Sequence, residues 1–244
     1  MIRFITTAVL CTSLYSQAHA ACEARNFVVA VDSGHSPSDG GSTSARGKSE
    51  FEFNDTLARE VVSALKNAGY GQAFLLNPYR SELSLHERTK LADGRGAGLF
   101  LSIHHDSTQP HYLNTWTHEG QEQRYSDDFS GFSLWVSGST VQAARSLTTA
   151  KAIGEGLLKR GLAPTLHHAE PIAGESRKLI DTRLGIYRRD TLAVLRASKA
   201  PAVLVEAGVI VNRAEELRLE QAGHRARIVA AVVEGAKAAC AATP

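Results

Sequence analysis

The chain has 244 residues, of which 43% are hydrophobic and 21% are charged. This ordinary globular composition argues against a disordered tail, a collagen or a small disulfide scaffold. With 27 Lys and Arg against 25 Asp and Glu, the formal charge is +2, so we expect no nucleic-acid partner. No apolar run reaches the roughly 18 residues needed to cross a bilayer, so we expect no transmembrane segment.

The first 20 residues have the pattern of a cleavable export signal. Arg3 gives a basic start, residues 4–15 form a short apolar stretch, and Ala18-His19-Ala20 offers the small residues that signal peptidase reads. We therefore predict a signal peptide over residues 1–20, a mature domain over residues 21–244, and a periplasmic or secreted location. The alternative is a buried N-terminal helix.

Two cysteines remain after the predicted cleavage. Cys11 would be lost, and Cys22 and Cys240 would stay near the two ends of the chain. In an exported protein this favours a disulfide that ties the termini together. The alternative is two unpaired thiols, because a disulfide requires Cα atoms within about 7 Å.

Apolar runs alternate with helical patterns along the chain. This order predicts a single α/β domain with a largely parallel, twisted sheet flanked by helices. Strands are predicted at residues 27–31, 72–76, 99–103, 131–137 and 202–206. Helices are predicted at residues 51–68, 85–92, 141–160, 192–196 (a short helix or turn) and 212–239, the last with a candidate break near Gly223. Residues 109–130 are predicted as a long surface loop, and residues 166–183 as irregular.

Polar side chains of the types that bind metals follow three of the predicted buried strands. His35 follows the first strand, His104 follows the strand at 99–103, and Glu206 ends the strand at 202–206. If these strands are parallel neighbours, their carboxyl ends bring the three side chains to one edge of the sheet. Imidazole and carboxylate are zinc ligands, and a catalytic zinc takes three protein ligands.

Two acidic residues extend this set of candidates. Glu50 begins the first long helix, and the polar loop before it can bring the carboxylate beside His35. Glu52 is the competing carboxylate, but it points about 200° around the helix from Glu50. Asp106 shares a face with His104 if the strand continues, so we expect it to orient a ligand or to lie near the metal.

The remaining histidines have weaker patterns. We expect His167 and His168, with Glu170, to line a substrate cleft or the surface rather than to bind metal. Four other histidines are predicted to lie on the surface: His86, His111, His118 and His224.

Four motifs resemble those of the zinc-dependent N-acetylmuramoyl-L-alanine amidases, which hydrolyse bacterial cell wall. The run Asp32-Ser33-Gly34-His35 is similar to the family's D-P-G-H, and residues 50–54 fit its E-x-x-x-N helix start. Residues 102–106 (S-I-H-H-D) resemble the strand end S-I-H-A-D/N. Residues 203–212 (V-L-V-E-A-G-V-I-V-N) are similar to the closing motif. The motifs occur in family order and span most of the predicted mature chain.

The resemblance implies a phosphorylase/hydrolase-like α/β fold and one Zn²⁺ per chain. It implies His35, Glu50 and His104 as metal ligands and Glu206 as the catalytic residue, and the spacing to Asn54 favours Glu50 over Glu52. The implied reaction is hydrolysis of the amide bond between N-acetylmuramic acid and L-alanine, with peptidoglycan or muropeptides as substrate. Zinc would polarise the carbonyl and acidify water, and Glu206 would move protons.

The sequence departs from the family pattern at four positions. Ser33 replaces a proline, His105 replaces a small residue and would add a nearby titrating group, and Ala207 and Val209 replace larger apolar residues. The segment between His104 and Glu206 shows no obvious extra helix of the kind that blocks the cleft in regulated family members, and the sequence identifies no activator.

Two other functions remain open from the residues alone. One is an exported zinc carboxypeptidase or peptidase, which would share the metal chemistry. The other is a metal-free peptidoglycan-binding protein of the same fold. Five basic residues are candidates either for contacts with stem-peptide carboxylates or for a solvated basic face: Arg177, Lys178, Arg183, Arg188 and Arg189.

Overall fold

A computed structural model describes residues 22–243 of the chain. The strands are β1 (Val29–Ser33), β2 (Phe74–Leu75), β3 (Leu99–Asp106), β4 (Asn114–His118), β5 (Gln121–Tyr125), β6 (Ser133–Val136), β7 (Lys178–Asp181), β8 (Ile186–Arg188) and β9 (Ala202–Val209). The α-helices are α1 (Glu50–Asn67), α2 (Leu85–Gly94), α3 (Ala143–Lys159), α4 (Ala193–Ala197), α5 (Arg213–Leu219) and α6 (Ala222–Ala241).

Seven strands form one mixed sheet in the order β2-β1-β3-β9-β6-β8-β7. The first four are mutually parallel, β6 runs antiparallel to β9, and β7 runs antiparallel to β8. The prediction of an α/β domain with a largely parallel sheet is therefore confirmed. Because β1, β3 and β9 are parallel neighbours, their carboxyl ends meet at one edge.

Apolar side chains cover both faces of the sheet, which explains why its central strands are continuous apolar runs. Val29 and Val31 of β1 belong to a large core that also includes residues of α1, α3 and α6. Ala30, between them, faces a smaller core that includes residues of α4. The alternation follows from the two-residue period of a strand.

Helix α1 contributes residues at helical spacing to the large core. Phe53, Leu57, Val61 and Leu65 are all buried, as the pattern predicts. Ala68 continues the same spacing but is exposed, and it is the C-cap of the helix.

The prediction of a long surface loop over residues 109–130 is wrong in part, because β4 and β5 form an antiparallel hairpin. Glu119 and Gly120 form its two-residue turn, with φ values of 49° and 76°. Positive φ at both central residues is typical of a type I′ turn. The sequence Glu-Gly indicates such a hairpin turn less strongly than Asn-Gly does. The hairpin also lacks an apolar face, so its sequence has no hydrophobic alternation.

The prediction of irregular structure over residues 166–183 is also wrong in part. Residues 178–181 form β7, which pairs with β8, a strand of three residues that the sequence pattern did not reveal. Strands this short have too few residues to establish a period. The break near Gly223 does occur, between α5 and α6.

A disulfide joins Cys22 to Cys240, with Cα atoms 5.4 Å apart. It links the start of the described chain to α6, and it confirms the favoured pairing of the cysteines. The predicted signal peptide lies outside the described residues. Within residues 22–243, no helix combines the length and the apolar character that a bilayer span requires.

Candidate metal centre and active site

His35 lies in the turn after β1, in a backbone conformation that is unusual for a residue with a side chain. Its φ is 65°, in the left-handed region. The buried guanidinium of Arg88, from α2, holds this turn. Arg88 Nη1 donates to Asp32 Oδ1 at 2.8 Å and to the Ser33 carbonyl at 2.6 Å, and Nη2 donates to the His35 carbonyl. The strained position of His35 is therefore determined by contacts from a second element.

Glu50 lies between two histidines at the edge of the sheet. Its Oε2 is 3.2 Å from His35 Nε2, and its Oε1 is 3.0 Å from His104 Nδ1. The ligand atoms of these three residues all lie within 4.8 Å of one another. Glu52, the competing carboxylate, is exposed on the opposite side of α1. The structure therefore brings together the three residues that the sequence suggests as metal ligands.

The ionisation of the cluster suits a cation. Burial alone would raise the pKa of Glu50, but hydrogen bonds with His104 and His35 hold it below its ordinary value. The same contact with Glu50 raises the pKa of His35. The hydrogen bonds with the two histidines thus stabilise the carboxylate, and a divalent ion can replace them.

Two glycines allow the three side chains to approach. A Cβ atom on Gly34 would collide with the His104 ring. A Cβ on Gly41, where φ is +71°, would lie 2.6 Å from Glu50 Oε2 and the same distance from the His35 ring. Two nitrogens and a carboxylate in this close arrangement fit the donor set of zinc.

Asn54 and His105 support Glu50 from behind, a role that the sequence reasoning missed. Asn54 Nδ2 donates to Glu50 Oε1 at 3.1 Å, and His105 Nδ1 lies 2.8 Å from Asn54 Oδ1. The i,i+4 spacing of Glu50 and Asn54 on α1 was the available signal. Burial lowers the pKa of His105 to about 3, so it is a neutral hydrogen-bonding group and not the added titrating group that the sequence suggested.

Glu206 faces this cluster from β9, where it pairs in register with His104 on β3. Its Oε2 is buried and has no hydrogen-bond partner among the described residues. Burial, followed by the charges of Asp106 and Glu50, raises the pKa of Glu206 well above its ordinary value, while Arg189 opposes the rise. An unpartnered buried carboxyl beside a group of metal-type ligands is a typical feature of an active site.

Asp106 lines the same polar groove as His35, Glu50 and His104, but its own hydrogen bonds go to other residues. Its Oδ1 accepts from the Ser107 backbone N–H at 2.8 Å, and its Oδ2 lies 2.7 Å from His168 Nε2. No hydrogen bond joins it to His35, Glu50 or His104 among the described residues. It belongs instead to a second group of metal-type side chains with His167 and His168.

Glu170 is not part of that second group, since its carboxylate accepts from Tyr112 Oη at 3.0 Å. Of the other histidines, His86 and His111 are exposed as predicted, and His118 is half-buried. The surface prediction is wrong for His224, which is buried in the first turn of α6.

Two grooves meet at His35 and His104. One has a volume of about 510 Å³, and several leucines line it together with Arg88. The other, of about 250 Å³, is polar and contains Glu206, Arg177 and Arg189. The other basic candidates lie elsewhere, because Arg183 pairs with Glu155, Arg188 pairs with Asp190, and Lys178 is exposed.

The family model and the relatives that match this chain all carry the same description. The family model described as N-acetylmuramoyl-L-alanine amidase matches residues 29–238. The amidase AmiA of Escherichia coli K12 is 28% identical over 218 residues, which cover 85% of this chain and 74% of that protein. The amidase LytC of Bacillus subtilis is 28% identical over 208 residues, which cover 84% of this chain but only 34% of LytC.

A solved structure shares the fold. Ami1, an N-acetylmuramyl-L-alanine amidase of Mycobacterium smegmatis, superposes with a TM-score of 0.69 at 20% identity, covering 89% of this chain and 98% of that one.

Proposed function

The chain belongs to the N-acetylmuramoyl-L-alanine amidase family, and from this premise we propose that it hydrolyses the amide bond between N-acetylmuramic acid and L-alanine in peptidoglycan or muropeptides. One observation carries the proposal. His35, Glu50 and His104 converge at the carboxyl edge of the sheet, and Glu206 faces them from the neighbouring strand. The relatives that match most of this chain, such as AmiA of Escherichia coli K12, are named as N-acetylmuramoyl-L-alanine amidases.

We infer that His35, Glu50 and His104 hold one zinc ion. A bound zinc ion supplies Lewis-acid polarisation of the scissile carbonyl and lowers the pKa of water. The fit rests on the donor set, on the close approach that the glycines allow, and on the buried, unpartnered oxygen of Glu206. Asn54 and the backbone N–H of Ser42 keep Glu50 oriented by donating to its two oxygens.

Glu206 acts as general base and then as general acid in this proposal. Its carboxylate takes a proton from water as the water oxygen bonds to the lactyl carbonyl carbon. When the carbon–nitrogen bond breaks, the same carboxyl gives that proton to the departing alanine nitrogen. The products are a free lactyl carboxylate on the sugar and a stem peptide with a free amine. A cation beside Glu206 would lower its raised pKa and keep it ionised for the first step.

Arg177 and Arg189 are proposed to bind stem-peptide carboxylates in the polar groove. Arg189 Nε is buried and has no hydrogen-bond partner among the described residues, so it is free to donate to a ligand. Burial, and then the charge of Arg177, lowers the pKa of the Arg189 guanidinium. An anionic ligand would oppose both effects by stabilising the charged guanidinium.

We also propose that the protein acts outside the cytoplasm, in the periplasm or after secretion. The disulfide between Cys22 and Cys240 supports this location, because disulfides persist in oxidising compartments. An exported enzyme that consumes only water needs no carrier or nucleotide, and peptidoglycan is accessible there.

The test is to incubate the zinc-loaded protein with purified muropeptides and to identify the amine that appears. We expect a new N-terminal L-alanine, an unsubstituted muramic acid, and loss of activity in the presence of a zinc chelator. Release of any other amine would make the protein a peptidase. Binding without release, by a protein that takes up no zinc, would make it a metal-free peptidoglycan-binding protein. Parallel digests of intact sacculi and of soluble muropeptides show whether the substrate is polymeric peptidoglycan or its released fragments.

A further inference from the structure

A second group of metal-type side chains lies beside the polar groove. It consists of Asp106 from β3 and of His167 and His168 from the turn that follows residue 166. His168 Nε2 is 2.7 Å from Asp106 Oδ2, and His167 Nε2 is 3.7 Å from the same oxygen. Both imidazoles therefore direct the same type of nitrogen at one carboxylate oxygen.

The opposite nitrogen of each imidazole already has a partner. His168 Nδ1 is 2.9 Å from Glu175 Oε2, and His167 Nδ1 is 2.7 Å from Thr165 Oγ1. A metal-binding histidine typically donates its second N–H to a carboxylate or another oxygen, which fixes the tautomer and leaves the other nitrogen for the ion. Glu175 and Thr165 are placed to do this for the two histidines.

His167 supplies an independent sign that a ligand is missing. Its side chain is 1% exposed, and Nε2 has no hydrogen-bond partner among the described residues. The ring stacks on Phe129, with centroids 4.8 Å apart, so it is held in place rather than free to turn towards water. A buried imidazole nitrogen without a partner is costly unless something else satisfies it.

We propose that Asp106, His167 and His168 form a second binding site for a divalent transition-metal ion, distinct from the site at His35, Glu50 and His104. Two imidazole nitrogens and one carboxylate oxygen suit zinc and its chemical neighbours. The ion reaches the site through the polar groove, which Asp106, His168 and Glu175 line. It ties the loop around residues 165–177 to β3, next to Glu206. The proposal does not depend on the amidase activity.

The competing arrangement contains no metal. A protonated His168 can bridge the carboxylates of Asp106 and Glu175, and their hydrogen bonds and charges raise the pKa of His168 although burial acts in the opposite direction. That arrangement leaves His167 Nε2 unsatisfied, whereas a metal ion satisfies all three side chains. The two arrangements predict different metal contents.

The test is to strip the mature protein of metal, titrate it with Zn²⁺ in competition with a chromophoric chelator, and measure bound zinc after desalting. We expect two zinc ions per chain, one for each group. His35→Gln should retain one ion, held by the second group. If His35→Gln retains no zinc, the proposal is overturned, whereas one ion in both the wild type and His35→Gln would assign that single ion to the second group.

Variants of the second group should lose the second zinc ion and keep the ion held by His35, Glu50 and His104. His167→Gln and His168→Gln should each bind one ion fewer than the wild type and lose the thermal stabilisation that the second zinc equivalent gives the wild-type protein. The matched control is His118→Gln, a half-buried histidine in neither group, which should bind as the wild type does. Unchanged zinc content in both second-group variants would contradict the site. If neither variant folds, the wild-type and His35→Gln contents decide.

Discussion

Glu206 lies directly opposite His104 in the register of two adjacent parallel strands, β9 and β3. This pairing sets the relation between the proposed general base and the proposed metal ligands, because the backbone of a central sheet is rigid. Of the other two proposed ligands, His35 lies in the turn after β1, which the Arg88 guanidinium secures, and Glu50 begins α1, where Asn54 orients it.

Glu206→Gln should separate catalysis from metal binding. The amide cannot accept a proton from water, so we expect kcat to fall by at least about 100-fold. Glu206 is outside the group of His35, Glu50 and His104, so zinc content should stay at the wild-type value. The measurements are turnover of a muropeptide and metal analysis of the same sample. Glu122→Gln, in the exposed hairpin, is the control, and wild-type turnover in Glu206→Gln would reject the proposed base.

Gly34→Ala should disturb the metal centre without an electrostatic change. The added methyl group would collide with the His104 ring, so we expect zinc affinity to fall at least about tenfold, with activity falling in parallel. Gly94→Ala is the matched control, because a Cβ there meets nothing within 4 Å. Equal zinc affinity in the two variants would show that His104 can move aside.

The sequence motifs were sufficient to locate the main cluster, since its residues follow buried strands or begin a strongly patterned helix. The second group could not be recognised in the same way. His168 pairs with Asp106, which is 62 residues away, whereas sequence proximity suggested Glu170. A contact of this kind depends on how a loop folds over the sheet, and the loop has no period that would predict it.

Arg189 and Arg183 should behave differently although the sequence treats them alike. Arg189→Gln removes a charge from the polar groove, so we expect KM for a muropeptide with free carboxylates to rise about tenfold, equivalent to about 1.4 kcal/mol. Arg183→Gln breaks only an exposed pair with Glu155 and should leave KM unchanged. Initial rates over a range of substrate concentrations measure both. The same KM in wild type and Arg189→Gln would remove this residue from substrate binding.

The disulfide should make a large contribution to stability. It closes a loop of 218 residues, and loss of such a bond typically costs about 2–5 kcal/mol. We expect the double variant Cys22→Ala/Cys240→Ala to unfold at lower urea concentration than the oxidised wild type. Reductant should shift the wild type towards the variant and leave the variant unchanged. A wild type that is insensitive to reductant under unfolding conditions would show that the cysteines are unpaired.

His224 should make stability fall as the pH is lowered. Its Nδ1 accepts from Arg227 Nη2 at 2.8 Å, and Arg can only donate, so the folded state holds the neutral imidazole. Burial, and then the charges of Arg227 and Arg218, lowers the pKa of His224 in the folded state. Above the unfolded pKa of about 6.5, both states are neutral and stability is unaffected. Below it, the unfolded state binds the proton first, so the free energy of unfolding decreases.

The measurement is the urea midpoint of metal-free protein between pH 8 and pH 5. In His224→Gln the decrease below about pH 6.5 should be smaller than in the wild type, because the group that titrates only on unfolding is gone. His86→Gln is the control, because that side chain is exposed and should leave the decrease unchanged. Identical pH profiles for wild type and His224→Gln would mean that the imidazole takes up its proton without unfolding, and that the Arg227 contact does not hold it neutral.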